Sequence, residues 1–452
     1  MSVTAESLRR SGRFQLRKPT ETTVVRPASL PELRQCLSPA SPYARPFRPR
    51  GAGSSSTECA TAALGTVIDM TAYNRILNID AYNDTVAVEA GVRIGDLARA
   101  LAEHGLELAG CHDQLNRTVG GAIAGGCTGP GIGNDGAYFG TQVLSVKLVT
   151  ADGKILQVSH DQKNLMNAVR LSYGMLGIIY EAVLRVRPVT PFSATHRRCT
   201  VYQFSKAAEN LSRTDIGIKF YLLPFRDRVY LDLRRYSPEV VATRAIPWRI
   251  KDWSESTVLP NVFKSLSKVV PISGIRNRMI DEISTITQAM VNNRLVSSGS
   301  NATANGASGG AATRLNYSTW IFPATDFGLV VEAYIDFCSK LQRENDFRCD
   351  MPTVGYRMSR DNSALLSPAF DEPMFALSAV STQSRGWEDF VIDFAEFAQH
   401  WGGGAFFNQT RGVLPEHATN VFGSRLAFFR KIRRQLDPDN RLMNPFLSQY
   451  FL

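Results

Sequence analysis

A chain of 452 residues is long enough for two or three domains or one large two-lobed enzyme, and 44% hydrophobic residues supply a sizeable core. The formal charge is +10, yet Arg and Lys are scattered, with modest groups only at 247–253 and 430–434 (RKIRR). That distribution speaks against a nucleic-acid-binding run and for a basic surface that favours anionic ligands. Seven cysteines, an odd number with no CxxC spacing, exclude a disulfide framework or zinc site and leave no metal expected. The first residues lack an apolar h-region, and no stretch nears the ~20 apolar residues of a membrane span. The expectation is a cytoplasmic protein with reduced thiols.

Residues 20–190 read as alternating short strands and helices. SLPELRQCL (29–37) has a Ser cap and helical spacing. The segment from Gly65 predicts a strand, a turn, two strands joined at AYNDT, and an amphipathic helix starting near Arg93. VLSVKLVTADGKILQVS (143–159) predicts a hairpin turning at Asp152-Gly153. From about 191 the strands alternate polar and apolar residues, as in RVYLDLRRY (228–236), which predicts a half-buried antiparallel sheet. Residues 245–295 read as amphipathic helix, 296–313 as a flexible Gly/Ala/Ser/Asn loop, and the last thirty residues as a helix followed by an apolar tail.

Three glycine-rich segments carry the chemistry. RPRGAGSSS (48–56) puts Gly51, Ala52 and Gly53 after Arg50 and before Ser54, Ser55 and Ser56, many backbone donors with little side chain. Such a loop can form an anion nest, although neither the P-loop nor the GxGxxG spacing is present. TVGGAIAGGCTGPGIGNDGAYFG (118–140) mixes glycines with apolar positions, which a linker does not do. SYGMLGII (172–179) again allows close backbone approach ahead of a strand. Three such segments, each joined to a strand, predict one extended ligand lying along the N-terminal domain.

These motifs, in this order, resemble the FAD-dependent vanillyl-alcohol oxidase / p-cresol methylhydroxylase superfamily over nearly the whole chain. LDPDNRLMNPFL (436–447) and YRMSRDNSALLSP (356–368) are similar to its sugar-lactone and alditol oxidase branch, and VTADGKI (149–155) to decaprenylphosphoryl-ribose oxidase. The resemblance implies an α+β fold: a two-subdomain PCMH-type FAD-binding domain (1–190), a cap or substrate domain with an antiparallel sheet flanked by helices (191–425), and a C-terminal segment returning to the FAD domain (426–452). It implies bound FAD, with contacts expected at Arg50, Gly51, Ala52, Gly53, Ser54, Ser55, Ser56, Thr118, Val119, Gly120, Gly121, Ala124, Gly125, Thr128, Gly129, Gly136, Gly177, Ile178, Ile179 and Asn444.

Departures from the family pattern shape the chemistry. Ser54 stands where relatives carry the histidine that bonds to flavin, and Asn116 occupies the second attachment position, so FAD is expected to be non-covalent. Gly403 replaces the lysine of the lactone branch, and Gly355 replaces an acid. The implied reaction is oxidation of a CH–OH group of a sugar, polyol, lactone or sugar-lipid-like alcohol by hydride transfer to flavin N5, with dioxygen or another acceptor reoxidising the flavin. Candidate bases or positioners are Arg357, His400, Asn408 and Gln409, with Tyr356 and Arg411 beside them. Two alternatives stay open. One is a biosynthetic tailoring oxidase for an aromatic or hydrophobic substrate, for which region 245–295 would shape the pocket or rest on a membrane surface. The other is a non-redox flavin enzyme of the ether-lipid synthase type. No nucleic-acid partner is expected, and the oligomeric state is left open.

Overall fold

Helical spacing is plain in the N-terminal part. In helix Ile94–Glu103 the residues Ile94, Leu97, Ala98 and Leu101 are all buried, one stripe at i, i+3, i+4 and i+7. The computed structural model describes residues 22–109, 115–133, 138–237, 245–291, 294–297 and 315–452. Within them the N-terminal part holds two main sheets. One is parallel, with Thr66–Asp69 between Thr23–Val25 and Phe47–Arg50. The other is antiparallel, in the order Ile76–Asp80, Thr85–Glu89, Ile178–Arg185, Val143–Val149, Ile155–Ser159. The expected hairpin closes where Thr150 N donates to Lys154 O at 2.9 Å and Gly153 takes φ +81°.

Beyond Pro188 an eight-stranded antiparallel sheet takes over. Its order is Arg294–Ser297, Phe192–Cys199, Arg228–Tyr236, Gly217–Leu223, Thr353–Met358, Met374–Ser381, Asn316–Pro323, Gly404–Ala405. One face packs on helices Val201–Ser212 and Phe327–Asn345 through an aromatic core. Phe327 stacks on Phe375 at 4.4 Å, and Phe204 and Phe220 lie 4.9 Å apart. Each such buried ring contributes roughly 1.5–3 kcal/mol of transfer free energy. The other face meets the glycine-rich run: Tyr356 Oη bonds to Thr128 Oγ1, and a Cβ on Gly217 would lie 3.1 Å from Gly131 O.

The chain end folds back. Helix Ser424–Leu436 is followed by helix Pro445–Phe451, capped by Asn444, so the expected apolar tail is helical. Its Leu447, Tyr450 and Phe451 join one buried cluster that also holds Val86, Phe220 and Phe375. Arg441 N–H groups reach Leu37 O and Ser38 O, and Phe47 N donates to Arg441 O at 2.8 Å. A second correction concerns 245–297. The helices end at Ala289, and Arg294–Ser297 pairs with Phe192–Thr195. Val296 and Ser297, read as the start of a loop, are thus strand, because pairing with a neighbour overrides weak local propensity. Residues 298–313 of that loop lie outside the described residues.

Candidate functional site

The loop after strand Phe47–Arg50 is held open at its centre. None of the amides of residues 51–55 donates a hydrogen bond to a described residue. Gly53 takes φ +69°, a conformation a side chain would strain, and the space where its Cβ would stand is open. The loop's flanks are fixed. Ser56 N donates to Asn408 O at 3.0 Å, Ser56 Oγ to Gln409 O at 3.1 Å, and Arg50 pairs with Asp69 at 3.0 Å. Five adjacent donors without an acceptor are what an anion site requires.

Helix Val119–Ala124 stands opposite, with Thr118 Oγ1 accepting from Gly121 N at 3.3 Å. The glycines here let segments touch. A Cβ on Gly51 would fall 2.0 Å from Thr118 Oγ1, and one on Gly120 would fall 2.8 Å from Ala90 Cβ. A third wall comes from Tyr173–Ile179, where Gly174 (φ +74°) lies against Pro49. Together they line one cleft.

Thirteen of the twenty expected cofactor contacts line this cleft: Arg50, Gly51, Ala52, Gly53, Ser54, Ser55, Thr118, Gly120, Gly121, Ala124, Gly125, Gly177 and Ile179. The others do not. Ser56 is bonded to the 408–409 backbone, and the Val119 and Ile178 side chains are in the core. Thr128 is bonded to Tyr356, and Gly129 O accepts from Gly131 N at 2.9 Å. Asn444 is a latch: its Nδ2 donates to Glu58 O and Thr61 O, both at 2.8 Å, and its Oδ1 caps the last helix. Gly136 lies outside the described residues.

The lining also includes Gly174 of the third glycine-rich segment and residues that the sequence reading did not select, notably Arg48, Arg117, Tyr173 and Cys59. Arg48 is 1% exposed and donates to carbonyls of Cys59, Tyr173 and Leu442, tying the loop to the C-terminal segment. Burial pushes its pKa down to about 10. Arg117 Nη1 donates to Gly126 O at 2.8 Å. Its place directly before Thr118 was the available signal. Among the described residues the lining contains no histidine, and its cysteine, Cys59, has its Sγ 3.5 Å from Ser55 Oγ.

The four residues expected to be catalytic separate. Asn408 lines the cleft, and its Oδ1 accepts from Gly126 N at 3.3 Å, while Gln409 Nε2 donates to Gly126 O. They sit in a turn just past the two-residue strand Gly404–Ala405. Arg357 is buried, with Nε on Ser212 O at 2.8 Å and Nη1 on Ile216 O and Gly133 O at 3.3 and 3.4 Å; burial lowers its pKa. Its donors serve main-chain carbonyls. His400 is exposed at the last position of helix Trp387–His400, away from the cleft. Arg411 is held between Ser56 O and Glu388. Gly355 has no room for an acid, since its Cβ would fall 2.0 Å from the Phe220 ring.

Residues 22–159 match the family described as FAD binding domain. L-gulono-1,4-lactone dehydrogenase of Mycobacterium tuberculosis is 28% identical over 207 residues, about half of each chain (46% of this one, 47% of the relative). Mouse L-gulonolactone oxidase is 23% identical over 430 residues, 94% of both chains. Among solved structures, cholesterol oxidase of B. sterolicum superposes with a TM-score of 0.71 at 14% identity, covering 95% of this chain and 94% of that one. Xylooligosaccharide oxidase of Myceliophthora thermophila gives 0.68 at 13% identity, covering 96% and 92%. Residues 22–159 are thus similar to an FAD binding domain, and nearly the whole chain shares the fold of these two oxidases.

Proposed function

We propose that this chain is an FAD-dependent oxidoreductase that oxidises the CH–OH group of a sugar, polyol, lactone or related alcohol. The observation that carries the reading is the row of five unbonded amides at 51–55, set across one cleft from Thr118–Gly125 and Gly174–Gly177. We assign residues 50–55, with Arg117, to the doubly anionic pyrophosphate, and Gly177 and Ile179 to the far end of the dinucleotide. FAD is held without a covalent bond, because Ser54 offers a hydroxyl where bonding would need an imidazole. Bound flavin supplies the hydride acceptor, and dioxygen or another acceptor then takes the electrons.

The chain's own part is to position and to exclude water. Asn408 and Gln409 clamp Gly126 from both sides and so fix the glycine-rich run. Thr128 and Tyr356 join their hydroxyls where the cap sheet meets that run, and we assign them to orienting the substrate hydroxyl. The sugar-lactone reading draws on the mouse relative matched over 94% of its length. Six described cysteines are free, which supports a reducing compartment such as the cytoplasm. No helix among the described residues is long and apolar enough to cross a membrane.

The test is anaerobic titration of the FAD-loaded protein with sugars, polyols, lactones and hydrophobic alcohols. At least one is expected to bleach the flavin absorbance, and admitted air or an artificial acceptor to restore it. Bleaching by none of them refutes alcohol oxidation.

A further inference from the structure

Large apolar side chains are exposed at many places in this protein, but they concentrate at one. Helices Leu259–Val269 and Ser273–Ala289 form an antiparallel hairpin, closed inside by Leu259, Phe263 and Ile280 with Leu266 and Ile283. At its tip Val269 is 75% exposed, Ile272 61% and Ile275 54%. Further along the second helix Met279 and Ile286 continue the same outer stripe, four and eleven residues beyond Ile275. Isolated exposed apolar residues need no explanation, whereas a contiguous group of this kind marks an interaction surface.

The charges around the tip choose the partner. Lys264, Lys268 and Arg278 stand exposed beside it, and Arg276 holds the turn by donating to Val270 O at 3.1 Å. The nearest acids are already engaged: Asp281 with Arg348, and Glu282 with Arg226. A second copy of the chain docked by two-fold symmetry would set this basic ring against itself, which is repulsive. An anionic lipid surface fits both features, apolar side chains entering the acyl boundary and Lys and Arg meeting headgroups. We infer that the hairpin tip, Val269 to Ile275 with its flanking cations, docks this protein peripherally on an anionic membrane surface.

The test uses the full-length, FAD-loaded chain in sedimentation with phosphatidylglycerol/phosphatidylcholine vesicles and with vesicles of phosphatidylcholine alone. Binding is expected to the anionic vesicles, to fall at least about fivefold on raising NaCl from 0.1 to 0.5 M, and to drop about tenfold or more in Val269→Asp/Ile272→Asp. Lys264→Gln/Lys268→Gln/Arg278→Gln, three exposed changes that leave the apolar tip intact, is expected to lose about tenfold as well. Unchanged flavin content and circular dichroism show that the variants fold. No binding to anionic vesicles, or equal binding to neutral ones, overturns the proposal. So does a dimer in analytical ultracentrifugation that Ile272→Asp abolishes, since the face would then be a contact between copies.

Discussion

Replacing Gly51 by alanine tests how the cleft is built. The new methyl would stand 2.0 Å from Thr118 Oγ1, 3.1 Å from its Cβ and 3.2 Å from its Cγ2, so the whole conflict is with one side chain. Thr118 must rotate away, and its cap on Gly121 N is lost. The cap alone is worth about 1 kcal/mol, and residual overpacking adds about 1–2 kcal/mol, so Gly51→Ala is expected to destabilise by roughly 2–3 kcal/mol. Thr118→Ala removes the cap but also the obstacle, at about 1 kcal/mol. The double variant keeps only the mild 3.1 Å contact with Cβ. It is expected within about 0.5 kcal/mol of Thr118→Ala, a coupling of at least ~1 kcal/mol. Urea unfolding of the FAD-free single and double variants, followed by circular dichroism, measures the cycle. Strictly additive penalties, or a neutral Gly51→Ala, would refute the close approach of the two segments.

If Asn408 and Gln409 act as clamps, alanine at either raises the FAD dissociation constant about five- to tenfold, the worth of one hydrogen bond. Turnover of the saturated enzyme then changes less than about threefold; a large fall in turnover with unchanged FAD affinity would assign them to chemistry instead. Acid precipitation of the purified protein is expected to leave all flavin in the supernatant, and pigment in the pellet would contradict non-covalent binding. His417 is buried against Trp320, and burial pushes its pKa down to about 4. Its neutral form is the folded form. The stability it allows is therefore full above the unfolded value near 6.5 and falls between pH ~6.5 and ~4, by about 3 kcal/mol in all. Thermal melts across that range should show the slope, and His417→Leu should flatten it.

The sequence by itself determined the local elements and the need for bare backbone. Hairpin 143–159, helix Ile94–Glu103 and the glycines at 51, 53, 120 and 125 follow from turn residues, apolar spacing and steric freedom, which are properties of neighbours in the chain. Tertiary structure decided what each polar residue does. Arg357 looks like a site cation in sequence, and it turned out to satisfy main-chain carbonyls, as does Arg48. Asn444 looked like a cofactor contact and is a latch on the 58–61 turn. His400 ended at an exposed helix terminus, and Phe220, far from Gly355 in sequence, closed the space beside it. The reason is that hydrogen-bond partners and packing neighbours lie tens to hundreds of residues away. Residue type limits which bonds a side chain can make, but only the fold brings the partner that it takes.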